Sequence, residues 1–228
     1  MKLISHPSPN FSERARGSII NKLIMHYTGM ENAKLSLAHL CDKNSKVSAH
    51  YLLDENGRIF QLVSEEKRAW HAGVSYWAGE TDINSQSIGI ELQNRGLEWG
   101  YNNFPKIQID SLIELVLDIR KRHHIPEKNI LGHSDIAPGR KQDPGEFFPW
   151  EEISFHNIGY WPKMPPRKID ITHSKQATQK NLSLIGYNPE TPFSEKLKAF
   201  QRHYRPSKVD GILDNETAHL IDFIAQDT

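Results

Sequence analysis

Near its N-terminus the chain contains the stretch Ile19-Ile20-Asn21-Lys22-Leu23-Ile24-Met25-His26. It is short, mostly apolar and rich in β-branched residues, a composition that predicts a buried strand. The stretch ends at Tyr27-Thr28-Gly29, which is a turn signal. Ser87 to Gln93 and Asn129 to Gly132 predict two further short strands by the same criteria. Each of the three is followed by polar residues or glycine.

Helices and a hairpin lie between these strands. Ile107 to His123 is predicted to be a helix because its apolar residues recur three and four positions apart, and Asn32 to Cys41 predicts a shorter helix. Val47 to Leu53 and Arg58 to Val63 flank an Asn56-Gly57 turn and predict a β-hairpin. Strands interleaved with helices indicate an α/β first domain.

The composition changes after this region. The stretch from Trp161 to Lys168 holds three of the 13 prolines and is typical of a stiff linker. We therefore predict a first domain over residues 1–162, a linker over 163–173 and a small all-α domain over 174–228. Its three helices are expected at Gln176 to Gly186, Ser194 to Tyr204 and Asp214 to Ala225, with Asp214 as N-cap.

Charge and composition exclude several classes of protein. The 228 residues carry 28 basic and 28 acidic side chains, and a net charge of zero argues against a nucleic-acid partner. The single cysteine, Cys41, excludes an internal disulfide and a cysteine-based zinc cluster. No stretch is apolar enough to span a membrane. Residues 1–16 lack the apolar core of a signal peptide, so we leave two locations open: the cell envelope or periplasm if a signal was removed, and otherwise the cytoplasm.

Three polar residues lie where a hydrophobic core would not place them. His26 ends the first strand, His133 follows the strand at Gly132, and Asp143 lies in the Gly- and Pro-rich loop after it. Two imidazoles and one carboxylate form a complete protein ligand set for a catalytic Zn²⁺, with a fourth position open for water. A lone histidine at a strand end is more often a structural residue, and spacing alone does not decide between these alternatives.

Two charged residues could assist such a metal. Glu91 lies in the apolar stretch Ser87-Ile88-Gly89-Ile90-Glu91-Leu92. A buried acid has a raised pKa and could act as general base toward a metal-bound water. The alternative for Glu91 is an outward-facing residue on an edge strand. Lys141 could bring a cation to a developing oxyanion, although most such lysines are solvated surface residues.

Five blocks of the sequence resemble the zinc-dependent N-acetylmuramoyl-L-alanine amidases of the type 2 amidase family. These amidases share a fold with peptidoglycan-recognition proteins. The blocks are His26-Tyr27-Thr28, Val47-Ser48-Ala49-His50-Tyr51, Arg68-Ala69-Trp70-His71-Ala72-Gly73, Ser87-Ile88-Gly89-Ile90-Glu91, and Gly132-His133 with Ala137-Pro138-Gly139-Arg140-Lys141 and Asp143-Pro144-Gly145. The tail resembles, over shorter motifs, a three-helix peptidoglycan-binding module.

The resemblance implies a mixed central β-sheet flanked by helices and one Zn²⁺ per chain. It implies His26, His133 and Asp143 as metal ligands, Glu91 as general base and Lys141 as oxyanion stabiliser. His50, His71 and Trp70 are expected to bind substrate, with support of the ligands as the alternative for the two histidines. Ala49 stands where some phage-type members carry a catalytic tyrosine, which leaves Glu91 as the base.

The implied reaction is hydrolysis of the amide bond between the N-acetylmuramoyl lactyl group and L-Ala. The implied partners are peptidoglycan or anhydro-muropeptides, and we expect a monomer. Two alternatives stay open. One is a peptidoglycan-recognition protein that binds without cleaving. The other is a zinc hydrolase that cuts a peptide bond within the stem.

Overall fold

The structure, a computed structural model, describes residues 1–163 and 174–227. Eight strands and nine helices are present in these residues. The strands are β1 Leu3–Ser5, β2 Phe11–Glu13, β3 Lys22–Tyr27, β4 Tyr51–Leu53, β5 Ile59–Gln61, β6 Lys67–Ala69, β7 Ser87–Leu92 and β8 Ile130–Gly132. The helices are α1 Ala33–Cys41, α2 Ile83–Gln86, α3 Gly96–Trp99, α4 Lys106–Arg122, α5 His133–Ile136, α6 Trp150–Ser154, α7 Lys175–Ile185, α8 Phe193–Tyr204 and α9 Asn215–Gln226.

Six strands form one sheet in the order β1-β5-β4-β7-β3-β8. The strands β4, β7, β3 and β8 are parallel, whereas β5 runs antiparallel to β4, so the sheet is mixed as expected. Strand β3 lies between β7 and β8, and the register places His26 beside Glu91 and Met25 beside Gly132. The carboxyl ends of three parallel strands therefore meet at one edge of the sheet.

The two faces of the sheet bury different parts of the chain. Alternate residues of β3 and β7, among them Leu23, Met25 and Ile90, pack against the apolar side of α4 in one core. Residues of the opposite parity, including His26 and Glu91, therefore point to the other face, because successive side chains of a strand alternate. The register and the parity together place both polar residues on one side of the sheet.

The three C-terminal helices pack on that second face. Leu197 and Phe200 of α8 and Ile221 of α9 belong to the same core as Ile24 and Leu131. The bounds agree with the predicted helices to within a residue, and Asp214 caps α9 by accepting a hydrogen bond from the Thr217 amide at 2.9 Å. Most of the predicted linker lies outside the described residues, and the division into domains stays a prediction.

Some local expectations were wrong. The first hairpin strand begins at Tyr51 and not at Val47. The Ser48 amide bonds to the Trp70 carbonyl, outside the hairpin. The strands β1, β2 and β6 were not expected. Within residues 1–163 and 174–227, no helix combines the length and apolar character needed to cross a membrane.

Candidate active site

His26, His133 and Asp143 come together at the edge where β3 and β8 end. The Nδ1 atoms of the two histidines lie 3.0 Å apart. Asp143 Oδ2 lies 2.9 Å from His26 Nδ1 and 3.0 Å from His133 Nδ1. All three side chains are buried, and this is the set of residues that could hold a metal ion. The fold thus joins residues that the sequence separates widely.

A chain of hydrogen bonds behind His26 decides which ring nitrogen carries the proton. The Ser87 hydroxyl donates to the Ile83 carbonyl at 2.7 Å, so it accepts from His71 Nε2, 3.2 Å away. His71 Nδ1 is then an acceptor, and His26 Nε2, at 3.1 Å, donates to it. Neutral His26 therefore carries its proton on Nε2 and presents a lone pair at Nδ1.

The His133 ring has the same tautomer as the His26 ring. Its Nε2 lies 3.0 Å from the Ala72 carbonyl, which can only accept, and 3.3 Å from Arg140 Nη2, which can only donate. The shorter contact assigns the proton to Nε2 and leaves a lone pair at Nδ1. The Arg140 guanidinium donates to the same carbonyl at 2.6 Å and holds that loop in place. Arg140 thus supports the orientation of the His133 ring through the carbonyl that both groups share.

The two Nδ1 atoms and the Asp143 Oδ2 atom are arranged to bind a cation between them. Two imidazole lone pairs and a carboxylate oxygen repel when no proton or metal lies between them. Zinc bonds of about 2.0–2.2 Å place the ligand atoms of a tetrahedral site about 3.3–3.6 Å apart. The observed separations of 2.9–3.0 Å are a few tenths of an ångström shorter than the lower end of that range. The donor set and its spacing could therefore hold a metal ion.

The electrostatics favour the metal-binding forms of His26 and Asp143. Burial, reinforced by the neighbouring His133, lowers the pKa of His26 to about 4. Burial alone would raise the pKa of Asp143, but the two histidines outweigh it and hold that pKa well below its usual range. A metal ligand must be a neutral imidazole or an ionised carboxylate, and His26 and Asp143 are in these forms at neutral pH.

Glu91 is the acid of this site. It lies on β7, an interior strand, so the alternative of an outward-facing edge residue is wrong. Its Oε2 atom is buried and has no hydrogen-bond partner among the described residues. Burial, together with the nearby negative charge of Asp143, raises the pKa of Glu91 to about 8, while Lys141 opposes the rise. A carboxyl with such a pKa can exchange a proton near neutral pH.

A cavity of about 450 Å³ opens over these groups. The three ligand candidates line it together with Glu91, Lys141 and Trp70. Trp70 donates through its indole nitrogen to Ser12 Oγ at 3.2 Å. The cavity thus places an acid, a cation and an aromatic side chain beside the ligand cluster, where a bound molecule could meet them.

The structure does not place His50 as expected. His50 is fully buried, its Nδ1 accepts from the Gly89 amide at 3.0 Å and its Nε2 lies 3.1 Å from the Lys67 carbonyl. It also does not line the cavity. These contacts suit a residue that fixes the backbone and not one that touches substrate. His71, in contrast, both lines the cavity and supports His26.

Sequence reasoning missed three supporting residues, which are Ser87, Gly89 and Arg140. A Cβ at Gly89 would overlap the His71 ring, so this strand position must be glycine. An isolated glycine within a strand marks a close approach of another group, and this signal was visible in the sequence. Ser87 and Arg140 act through contacts that no local pattern indicates.

A buried ligand set of two histidines and one carboxylate, beside an unpartnered acid in an open cavity, defines the arrangement of a metal-assisted hydrolase. The chain belongs to the N-acetylmuramoyl-L-alanine amidase family Amidase_2, whose profile matches residues 16–146. It is 39% identical over 229 residues to the N-acetylmuramoyl-L-alanine amidase AmiD of Escherichia coli, an alignment that spans 91% of this chain and 83% of AmiD.

Solved structures agree with this assignment. The complex of Escherichia coli AmiD with anhydro-N-acetylmuramic acid-L-Ala-D-γ-Glu-L-Lys superposes with a TM-score of 0.80 at 35% identity, covering 96% of this chain and 98% of AmiD. AmpDh3 from Pseudomonas aeruginosa gives a TM-score of 0.84 at 33% identity, covering 100% of this chain and 99% of AmpDh3. Both similarities extend through the C-terminal helices.

Proposed function

We propose that this protein hydrolyses the amide bond between the N-acetylmuramoyl lactyl group and L-Ala of the stem peptide, with one Zn²⁺ held by His26, His133 and Asp143. The observation that carries the proposal is the cluster of three ligand atoms within 3.0 Å of one another. It lies in one cavity with an acid whose pKa is raised to about 8.

Glu91 and Lys141 have separate roles in the proposed hydrolysis. Zinc, when bound, supplies a Lewis acid that acidifies water and polarises a carbonyl. Glu91 accepts the proton of the attacking water and returns it to the nitrogen of the departing L-Ala amine. Lys141 adds positive charge to the cavity where the lactyl oxygen becomes negative. The cation that neutralises Asp143 also favours the ionised form of Glu91, because it offsets the charge that raises the pKa of Glu91.

Anhydro-muropeptides are the substrates we propose first. AmiD was solved with such a substrate, and AmpDh3 was also solved with anhydromuramic pentapeptide. Similarity to both proteins includes the cavity-bearing domain and the C-terminal helices. We further propose, from the tail motifs, that residues 174–228 help to bind peptidoglycan. Cosedimentation of the inactive full-length Glu91→Gln variant with sacculi tests that role.

The deciding experiment is mass spectrometry of soluble anhydro-muropeptide and of intact sacculi after incubation with the zinc-loaded protein. Release of free stem peptide beginning at L-Ala, abolished by a chelator, is the expected result. Cleavage within the stem would establish the alternative hydrolase. Binding of muropeptide without cleavage, with zinc present, would establish a recognition protein.

A further inference from the structure

One loop carries two of the three ligand candidates. This segment, residues 133–146, is named here the ligand loop; it begins with His133 and contains Asp143. The sheet positions its first residue through β8, but the rest of the loop has little regular structure beyond the short helix α5. One backbone hydrogen bond, from the Ser134 amide to the Asp143 carbonyl at 2.9 Å, joins the two ends of the loop. Contacts with the rest of the protein hold the loop in place around that bond.

The firmest of these contacts is made by Asp135. Its carboxylate is 1% exposed and accepts three hydrogen bonds. The Gly132 amide donates to Oδ2 at 2.8 Å and the Tyr187 hydroxyl to Oδ1 at 2.7 Å. His203 Nδ1 lies 2.7 Å from Oδ2 and is its second donor. Two of the three donors thus come from the C-terminal helices or from the turn between them.

The His203 ring is itself fixed in place. It stacks between Trp150, at a centroid distance of 3.9 Å, and Tyr204, at 4.1 Å. Its Nε2 atom is buried without a hydrogen-bond partner among the described residues. The hydrogen bond to Asp135 is therefore the polar contact that this ring makes among the described residues. The stacked Trp150 and Tyr204 rings restrict its rotation.

Helix α8 also touches the loop elsewhere. Arg202 Nε donates to Glu146 Oε1 at 2.9 Å, and Arg202 is mostly buried. Near the middle of the loop, a Cβ added at Gly139 would come within 3.1 Å of the Glu195 side chain. Contacts at the beginning, middle and end of the ligand loop thus lie on one face of one helix.

We propose that α8 and Tyr187 position the ligand loop, so that the C-terminal helices set the metal-binding geometry of the amidase site as well as any role in wall binding. His203, Tyr187 and Arg202 are positioning residues that act through Asp135 and Glu146 on the two ligands of the loop. This inference rests on the proposed function only for its kinetic readout, because metal affinity is measured without substrate.

The test uses full-length protein and replaces the helix side of the contact, leaving the loop unchanged. His203→Phe keeps the stacked ring but removes the donor to Asp135. We expect its Zn²⁺ dissociation constant, measured by competition with a chromophoric chelator, to rise about tenfold. We expect kcat on anhydro-muropeptide to fall by a similar factor while KM stays within about twofold. His203→Asn restores a donor close to the position of Nδ1 and should recover most of both losses.

The matched control is Gln201→Leu on the same helix. Gln201 is fully buried and bonds to Asp210 and to the Ile212 carbonyl, away from the ligand loop. It should lower thermal stability but leave the Zn²⁺ dissociation constant unchanged. Tyr187→Phe removes one hydroxyl and replaces His203→Phe if that variant does not fold.

Two outcomes overturn the proposal. One is unchanged metal affinity in a folded His203→Phe or Tyr187→Phe protein. The other is an equal loss of affinity in Gln201→Leu, which would show that α8 affects metal binding only through the overall stability of the protein. Absence of turnover in the wild-type protein would refute the proposed function but would leave the metal-affinity comparison intact.

Discussion

Replacing Glu91 with glutamine should remove activity and at the same time stabilise the protein at alkaline pH. The carboxyl has a pKa of about 8 in the folded protein against an ordinary value of 4.5. Between these values the unfolded chain releases the proton while the folded chain keeps it, so stability falls as pH rises from 4.5 to 8. Glutamine has no proton to lose and escapes this destabilisation.

The expected size of the effect follows from the two pKa values. Between pH 5 and pH 8, the stability of Glu91→Gln relative to wild type should increase by about 3 kcal/mol. Urea unfolding of both metal-free proteins at the two pH values measures the difference, since groups that do not interact with Glu91 titrate alike in both proteins and cancel. Activity of the zinc-loaded variant should fall by about 10²–10⁴-fold, the usual contribution of a general base.

Two results would refute this reasoning. A stability difference that is the same at pH 5 and pH 8 would mean that Glu91 is not held as a buried acid. Turnover near the wild-type rate would remove Glu91 from the mechanism. The control is Glu114→Gln, which changes an exposed carboxyl on the far side of the sheet and should leave turnover unchanged.

Three further predictions concern the ligands and their support. His26→Ala should lose both bound zinc and turnover, and zinc retained at one per chain in metal analysis would contradict its role as a ligand. Gly89→Ala should displace the His71 ring and weaken zinc binding about tenfold in chelator competition, and unchanged affinity would remove His71 as a support of His26. Chelation should lower the melting temperature of the wild-type protein, because a metal at 100 times its dissociation constant adds about 2.7 kcal/mol; identical melting curves would show that the site holds no metal.

The sequence predicted the elements that carry strong local signals. Helix α4 was predicted from its apolar periodicity, and α9 with Asp214 as its N-cap. The strands β1 and β2 are three residues each, too short for an alternating pattern to be distinguished. The polar ends of three strands were visible as well. These strand ends lie close together only because the strands pair in parallel, and this pairing is a property of the assembled sheet.

The supporting contacts were beyond sequence reasoning for a different reason. Asp135 bonds to partners 52 and 68 positions further along the chain, and nothing around it distinguishes a buried carboxylate from a loop residue. His50 was expected at the substrate because its block resembles a family motif. In the fold, the His50 ring accepts a hydrogen bond from the Gly89 amide, a role that residue type alone does not indicate.

The hydrogen-bond chain behind His26 has a consequence for proton traffic. It runs through His71 and Ser87 and ends at the Ile83 carbonyl, which has no proton to give and no site to hold one stably. The chain is therefore a dead end that locks a tautomer, and protons do not leave the site by that route. In the proposed mechanism, a proton taken by Glu91 is therefore not lost through His26 and His71 before the amine leaves.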